Sequence, residues 1–175
     1  MSSVVPCEVP DSTLLAGCAT AGAYVDCYST TVVFQASQSQ FVEAFYTSWL
    51  FKVERLLLRV VLSRGATDAQ ALQLATGETA AFAAWSVEDR RPDQLLLADF
   101  TGRTKSWLMT RPAQTGTRLF FGSAVVPRRA SRAPGSGLGF AFSALLGFHK
   151  VYSHLLLQAA SRRLEKLNTA GSGGG

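Results

Sequence analysis

Gln94–Val126, QLLLADFTGRTKSWLMTRPAQTGTRLFFGSAVV, decides how the rest of the chain is read. It holds three strand-like runs, 94–100 (QLLLADF), 103–110 (RTKSWLMT) and 117–126 (TRLFFGSAVV), rich in leucine, aromatic and β-branched residues. Thr101-Gly102 separates the first two, and Arg111-Pro112 through Gly116 separates the second from the third. A further run, 80–88 (AAFAAWSVE), comes just before and leads to the turn residues Arg91-Pro92-Asp93. Connections this short join antiparallel neighbours, because a parallel pair needs a long crossover. The region therefore reads as an antiparallel meander.

Upstream, Tyr24–Phe34 (YVDCYSTTVVF) reads as one more strand. Its alternation puts Tyr24, Asp26, Tyr28, Thr30, Val32 and Phe34 on one face, and Val25, Cys27, Ser29, Thr31 and Val33 on the other. The polar break Ala36–Gln40 supplies a capping serine. Phe41, Val42, Phe45, Tyr46, Trp49, Leu50, Val53, Leu56, Leu57, Val60 and Val61 then recur at helical spacing, giving one long or two short helices between 38 and 63. Residues 66–79 are a connector with one helical turn near Asp68–Leu74. After a loop at 127–138 rich in Arg, Pro, Ser and Gly, the longest helical pattern runs from about Gly139 to Leu167. Its apolar stripe holds Phe142, Leu145, Leu146, His149, Tyr152, Leu156, Ala159 and Ala160, with Arg162, Arg163 and Lys166 in the final turns. Residues 1–23 read as an irregular lead-in, 24–167 as a single domain, and 168–175 as a flexible tail or appended linker. The fold class is α+β: a curved antiparallel sheet wrapping a long C-terminal helix, with a helix pair after the first strand.

At 175 residues the chain can bury one sizeable core, and 47% hydrophobic against 17% charged residues excludes a disordered composition. The net charge of +5 comes mostly from arginine, but no aromatic residues interleave with Arg128, Arg129, Arg132, Arg162, Arg163 or Lys166 as a base-stacking surface would require. Nucleic acid is not expected as a partner. Three cysteines, Cys7, Cys18 and Cys27, form an odd set without CxxC spacing, which speaks against a disulfide framework or a zinc site and for reduced thiols in the cytoplasm. Leu15-Ala16-Gly17-Cys18 has the form of a lipoprotein cleavage box. It lacks a basic n-region, and Pro6, Glu8, Pro10 and Asp11 interrupt the apolar run, so the match reads as accidental. No segment reaches the roughly 18–20 apolar residues of a membrane span, so stable insertion is not expected. No phosphate-loop, HExxH or GxSxG pattern is present. Gly135–Gly139 is glycine-rich before a helix but has no Walker lysine.

The order of elements resembles the helix-grip fold of the START/polyketide-cyclase/Bet v 1 superfamily, and more closely a little-characterised bacterial branch of it. The residues that carry the resemblance are VPCEVPDSTLLAG (5–17), YVDCYST (24–30), the helix from Trp49 to Arg59, LLLADF (95–100) and the Phe148-His149 pair, over roughly residues 5–165. The basic loop at 127–138 is an elaboration on that pattern. The resemblance implies a cavity for hydrophobic small molecules, sometimes with acid/base chemistry and usually without a metal or organic cofactor.

His149 is the first candidate for chemistry, since imidazole titrates near neutral pH and Tyr152 and Ser153 follow at i+3 and i+4. A core histidine satisfied by a backbone carbonyl would leave the same pattern, and His154 should face elsewhere. Asp26 and Asp99 lie within apolar strands, where an unpaired carboxylate is costly and a cavity-facing one could serve as acid or base. The plainer reading pairs them with Arg55, Arg59 or Arg103, or leaves them exposed. Tyr28, Trp49, Trp85, Trp107, Phe121 and Tyr152 could line a pocket, with Arg55 and Arg103 as polar contacts, although aromatic residues also simply fill cores. The sequence thus suggests a cofactor-free, metal-free cavity protein, monomer or homodimer, acting on a hydrophobic small molecule by acid/base cyclisation, isomerisation or dehydration. A non-catalytic binder or carrier of a lipid-like or aromatic ligand is the alternative, and a filled interaction domain the third.

Overall fold

The computed structural model describes residues 3–53, 66–126 and 138–172, with only the backbone for 138–150 and 171–172. The basic loop, Arg55, Arg59 and the side chain of His149 lie outside the described residues. The chain runs β1 (Val5–Pro6), α1 (Leu14–Thr20), β2 (Tyr24–Val32), α2 (Gln38–Tyr46), a helical segment over 49–53, α3 (Asp68–Thr76), β3 (Ala81–Phe82), β4 (Trp85–Arg91), β5 (Gln94–Asp99), β6 (Thr104–Ala113), β7 (Gly116–Val125) and α4 (Leu138–Ser172). Seven strands form one antiparallel sheet in the order β1-β2-β7-β6-β5-β4-β3. The fold is α+β, with a curved antiparallel sheet gripping the long C-terminal helix.

Local chemistry explains the boundaries. Ser37 caps α2 by accepting from Gln40 N while the Gln40 side chain returns to Ser37 N, and Thr67 and Gln70 repeat this capping box at α3. The helix pair breaks at Thr47, whose hydroxyl turns back to Glu43 O at 2.8 Å, and Ser48 O then accepts from Lys52 N at 2.9 Å. Helix α3 is longer than the single turn expected and ends on Gly77 in the left-handed region at φ 88°.

The sheet departs from the sequence expectation at Pro112. The expected turn Arg111-Pro112 belongs instead to β6, with Pro112 facing Thr117, and the chain reverses only at Gln114-Thr115 before Gly116. Proline is tolerated because β5 pairs with β6 no further than Met109, leaving Pro112 on an unpaired edge that needs no N–H. Gly116, at φ 130°, has no room for a side chain: a Cβ there would stand 2.1 Å from Val32 O. Helix α4 also continues to Ser172, into the stretch expected to be tail.

Both faces of the sheet are covered. On the inner face Tyr28, Val32, Leu95, Leu97, Leu108, Leu119 and Phe121 pack against Phe41, Phe45 and Tyr46 of α2, Leu74 of α3, and Leu156, Leu157, Ala160 and Leu164 of α4. On the outer face Cys27, Leu96, Trp107, Met109, Phe120 and Ala124 pack against Leu14, Leu15 and Cys18. The lead-in is therefore not irregular. Thr13 caps α1 by accepting from Ala16 N, and the helix seats Leu15 over Gly122, the one position on β7 where a Cβ would collide with it at 2.3 Å. His154 of α4 bonds Val4 O at 3.2 Å and meets the Tyr28 ring edge-on, so it is structural, fixing α4 to the start of the chain.

Leu15 is fully buried while Gly17, on the same helix, has nothing within 4 Å of an added Cβ. Urea unfolding should therefore show Leu15→Ala losing about 2–5 kcal/mol. Gly17→Ala should be neutral or gain up to about 1 kcal/mol. Equal effects would mean that α1 does not pack on the sheet.

Candidate functional site

Beneath α4, a partly enclosed cavity of about 180 Å³ opens on the inner face of the sheet. Phe45, Phe51, Phe121 and Leu156 give it apolar walls, with the Phe45 and Phe121 rings 4.9 Å apart, and Trp85 and Tyr152 add aromatic edges. Ser106, Ser123 and Ser153 put small polar groups among them. The register explains the serines: Ser106 on β6 faces Ser123 on β7, so a patch of sheet carries two short side chains where its neighbours carry leucine and phenylalanine. Helix spacing then sets Tyr152, Ser153 and Leu156 over this gap.

The polar groups differ in how they are satisfied. Tyr46 Oη and Ser106 Oγ share a hydrogen bond at 3.4 Å. Ser123 donates to Asp26 Oδ1 from its backbone N at 3.1 Å and its hydroxyl at 2.5 Å. Ser153 Oγ and Trp85 Nε1 are buried without a hydrogen-bond partner among the described residues. A buried donor left without a partner costs on the order of 1–3 kcal/mol, and Trp85 and Ser153 are both wall residues of this cavity.

Of the expected site residues, the cavity gathers Phe121 and Tyr152, with Trp85 also in its wall. Asp26 stands behind the wall through Ser123. Tyr28 is on the inner face but belongs to the packed core, where burial pushes its hydroxyl pKa up. His149 lies in α4 one turn before Ser153, and its side chain, like Arg55, is outside the described residues.

Trp107 is corrected outright: it points to the outer face, fully buried, with Nε1 donating to Gln94 Oε1 at 3.0 Å. Asp99 is occupied in the β5–β6 turn, accepting from Thr101 Oγ1 at 2.8 Å, Arg103 N at 2.9 Å and Thr104 N at 3.2 Å. Arg103 is exposed in that same turn. Trp49 is 66% exposed and lines a separate surface groove of about 620 Å³ with Lys52, Arg162, Arg163 and Lys166. That groove is the larger of the two depressions, while the cavity under α4 is the one lined by Trp85 and Ser153. Phe51, Ser106 and Ser123 are wall residues the sequence reading does not single out, and the two serines come together only through the strand register.

Among the described residues no cluster of His, Cys, Asp or Glu is arranged to hold a metal ion, and no helix is long and apolar enough to cross a membrane.

Comparison with known proteins yields no matching family model and no matching curated protein. Among solved structures the chain is similar to CalU16 from Micromonospora echinospora, at 10% sequence identity over 95% of this chain and 94% of that one, with a TM-score of 0.32. A likeness this faint carries no weight for fold or function.

The two tryptophans separate orphaned from satisfied donors. Removing the unpartnered hydroxyl by Ser153→Ala should raise the unfolding free energy by up to about 1 kcal/mol, whereas Gln94→Leu, which strands the Trp107 indole N–H, should cost about 1–3 kcal/mol. Denaturant titration checks both, and a large loss in Ser153→Ala would show that its hydroxyl is already engaged.

Proposed function

We propose that the protein binds a small, largely apolar molecule of about one ring that carries a hydrogen-bond acceptor such as a carbonyl. The observation behind this reading is that Trp85 and Ser153, whose Nε1 and Oγ are buried with no hydrogen-bond partner among the described residues, both line one aromatic cavity. Indole N–H is a donor only, so the group it selects is an acceptor. The volume of about 180 Å³ supports the size; an apolar cavity of roughly 150 Å³ takes up benzene.

Titration calorimetry with an aryl ketone and its matching hydrocarbon tests this directly. The ketone should bind roughly tenfold tighter, the worth of one well-made hydrogen bond. Trp85→Phe should erase the preference while leaving hydrocarbon affinity in place. Equal affinity for both compounds, or uptake of neither, would defeat the reading.

A second reading adds acid/base catalysis of cyclisation, isomerisation or dehydration. What favours it is Asp26, whose carboxylate is held on the cavity wall residue Ser123. In this reading His149, one turn along α4 from Ser153, moves the proton, and Asp26 orients the reacting groups through Ser123. His149→Ala should then abolish turnover of a bound substrate and leave its affinity nearly unchanged. Unchanged turnover in that variant would leave binding alone as the function.

A further inference from the structure

The three cysteines form an odd, unspaced set along the chain, but the sheet brings two of them together. The β1–β2 register faces Val5 with Ser29 and Pro6 with Tyr28, and Cys7 continues it opposite Cys27. Cys7 N donates to Cys27 O at 2.9 Å, and the two sulfurs lie 3.1 Å apart as free thiols. Facing residues of a hydrogen-bonded antiparallel pair have Cα atoms about 5.5 Å apart, within the span a disulfide closes. The two are unequal in access: Cys7 is half-buried and Cys27 buried, on the outer face under the lead-in.

The surroundings distinguish them as well. Arg118 donates to Ser29 Oγ at 2.9 Å and lies over the Phe120 ring, placing a fixed cation and a hydroxyl beside the pair. The hydrogen bond with Cys27, helped by Ser29 and the Arg118 charge and opposed by burial, brings the Cys7 thiol down to about 6. Cys27 goes the other way, its thiol pushed up by the bond to Cys7, by burial and by the Asp26 carboxylate. Cys18 Sγ instead donates to Leu14 O at 3.8 Å, and burial pushes its thiol up.

We propose that Cys7 and Cys27 form an oxidant-responsive dithiol, in which Cys7 reacts with a hydroperoxide and Cys27 resolves the product to an intramolecular disulfide. The Cys7 thiolate attacks the peroxide oxygen; the S–O bond forms as the O–O bond breaks, and the departing oxyanion takes up a proton. Sulfur is oxidised to the sulfenic acid by the two electrons that reduce the peroxide. Cys27 then attacks that sulfur, the S–S bond forms as the S–O bond breaks, and water leaves with the Cys27 proton. The bond ties the segment leading into α1 to β2.

The test exposes the full chain to hydrogen peroxide and maps the cysteine peptides without reduction. The expected product is Cys7 joined to Cys27, lighter by two hydrogens, with Cys18 still alkylatable. Cys27→Ser should accumulate a dimedone-reactive sulfenic acid at Cys7, and Arg118→Gln should slow oxidation roughly fivefold without changing the product. If Cys27→Ser does not fold, the pairing and rate in the unsubstituted chain decide the matter. A disulfide to Cys18, an intermolecular bond, or oxidation of Cys7 no faster than Cys18 would overturn the proposal.

Discussion

The strands β2, β5, β6 and β7 bury side chains on both faces, and this constraint organises the molecule. Along β7, Leu119, Phe121 and Ser123 turn inward while Phe120, Gly122 and Ala124 turn outward, and none is more than slightly exposed. A two-sided apolar sheet must be covered twice. The inner cover is the helix layer of α2, α3 and α4, and the outer cover is supplied by α1. Gly122 is where the two demands meet, since its missing side chain lets Leu15 approach the sheet beside Trp107.

The inner cover does not fill its side completely. Where β6 and β7 set serine opposite serine, the helices close over a gap, and two of its wall residues carry donors without partners among the described residues. The contrast with the outer face is instructive. There Trp107 is equally buried, but Gln94 accepts from its indole and also from Leu14 N, so one amide satisfies the sheet and the lead-in helix together. This contrast between the two tryptophans is what the proposed binding role builds on.

Most of the strands and the long terminal helix are legible because period-2 and period-3.6 patterns are strong over such lengths, although the run 80–88 divides between β3 and β4; a capping serine within Ala36–Gln40 marks the helix that Ser37 caps. Faces were harder. Trp107 and Ser106 alternate cleanly along β6, but with both sides apolar the alternation does not say which side is inner, so Trp107 reads as a pocket candidate although its neighbour Ser106 is the one that lines the cavity. Helix α1 escaped notice because its seven residues barely complete a periodic stripe and include a glycine. The Asp99 turn is local chemistry that Thr101 and Gly102 already announced. The facing of Cys7 and Cys27, like that of Ser106 and Ser123, exists only in the register, which no single segment encodes.

The proposed function thus rests on one gap in the inner layer. Diffraction from crystals under xenon pressure examines it most directly, because xenon enters apolar voids without needing the true ligand. The account predicts xenon density among Phe45, Phe121 and Leu156 beneath α4. An inner face with no xenon there, its space taken by the protein's own side chains, would contradict it.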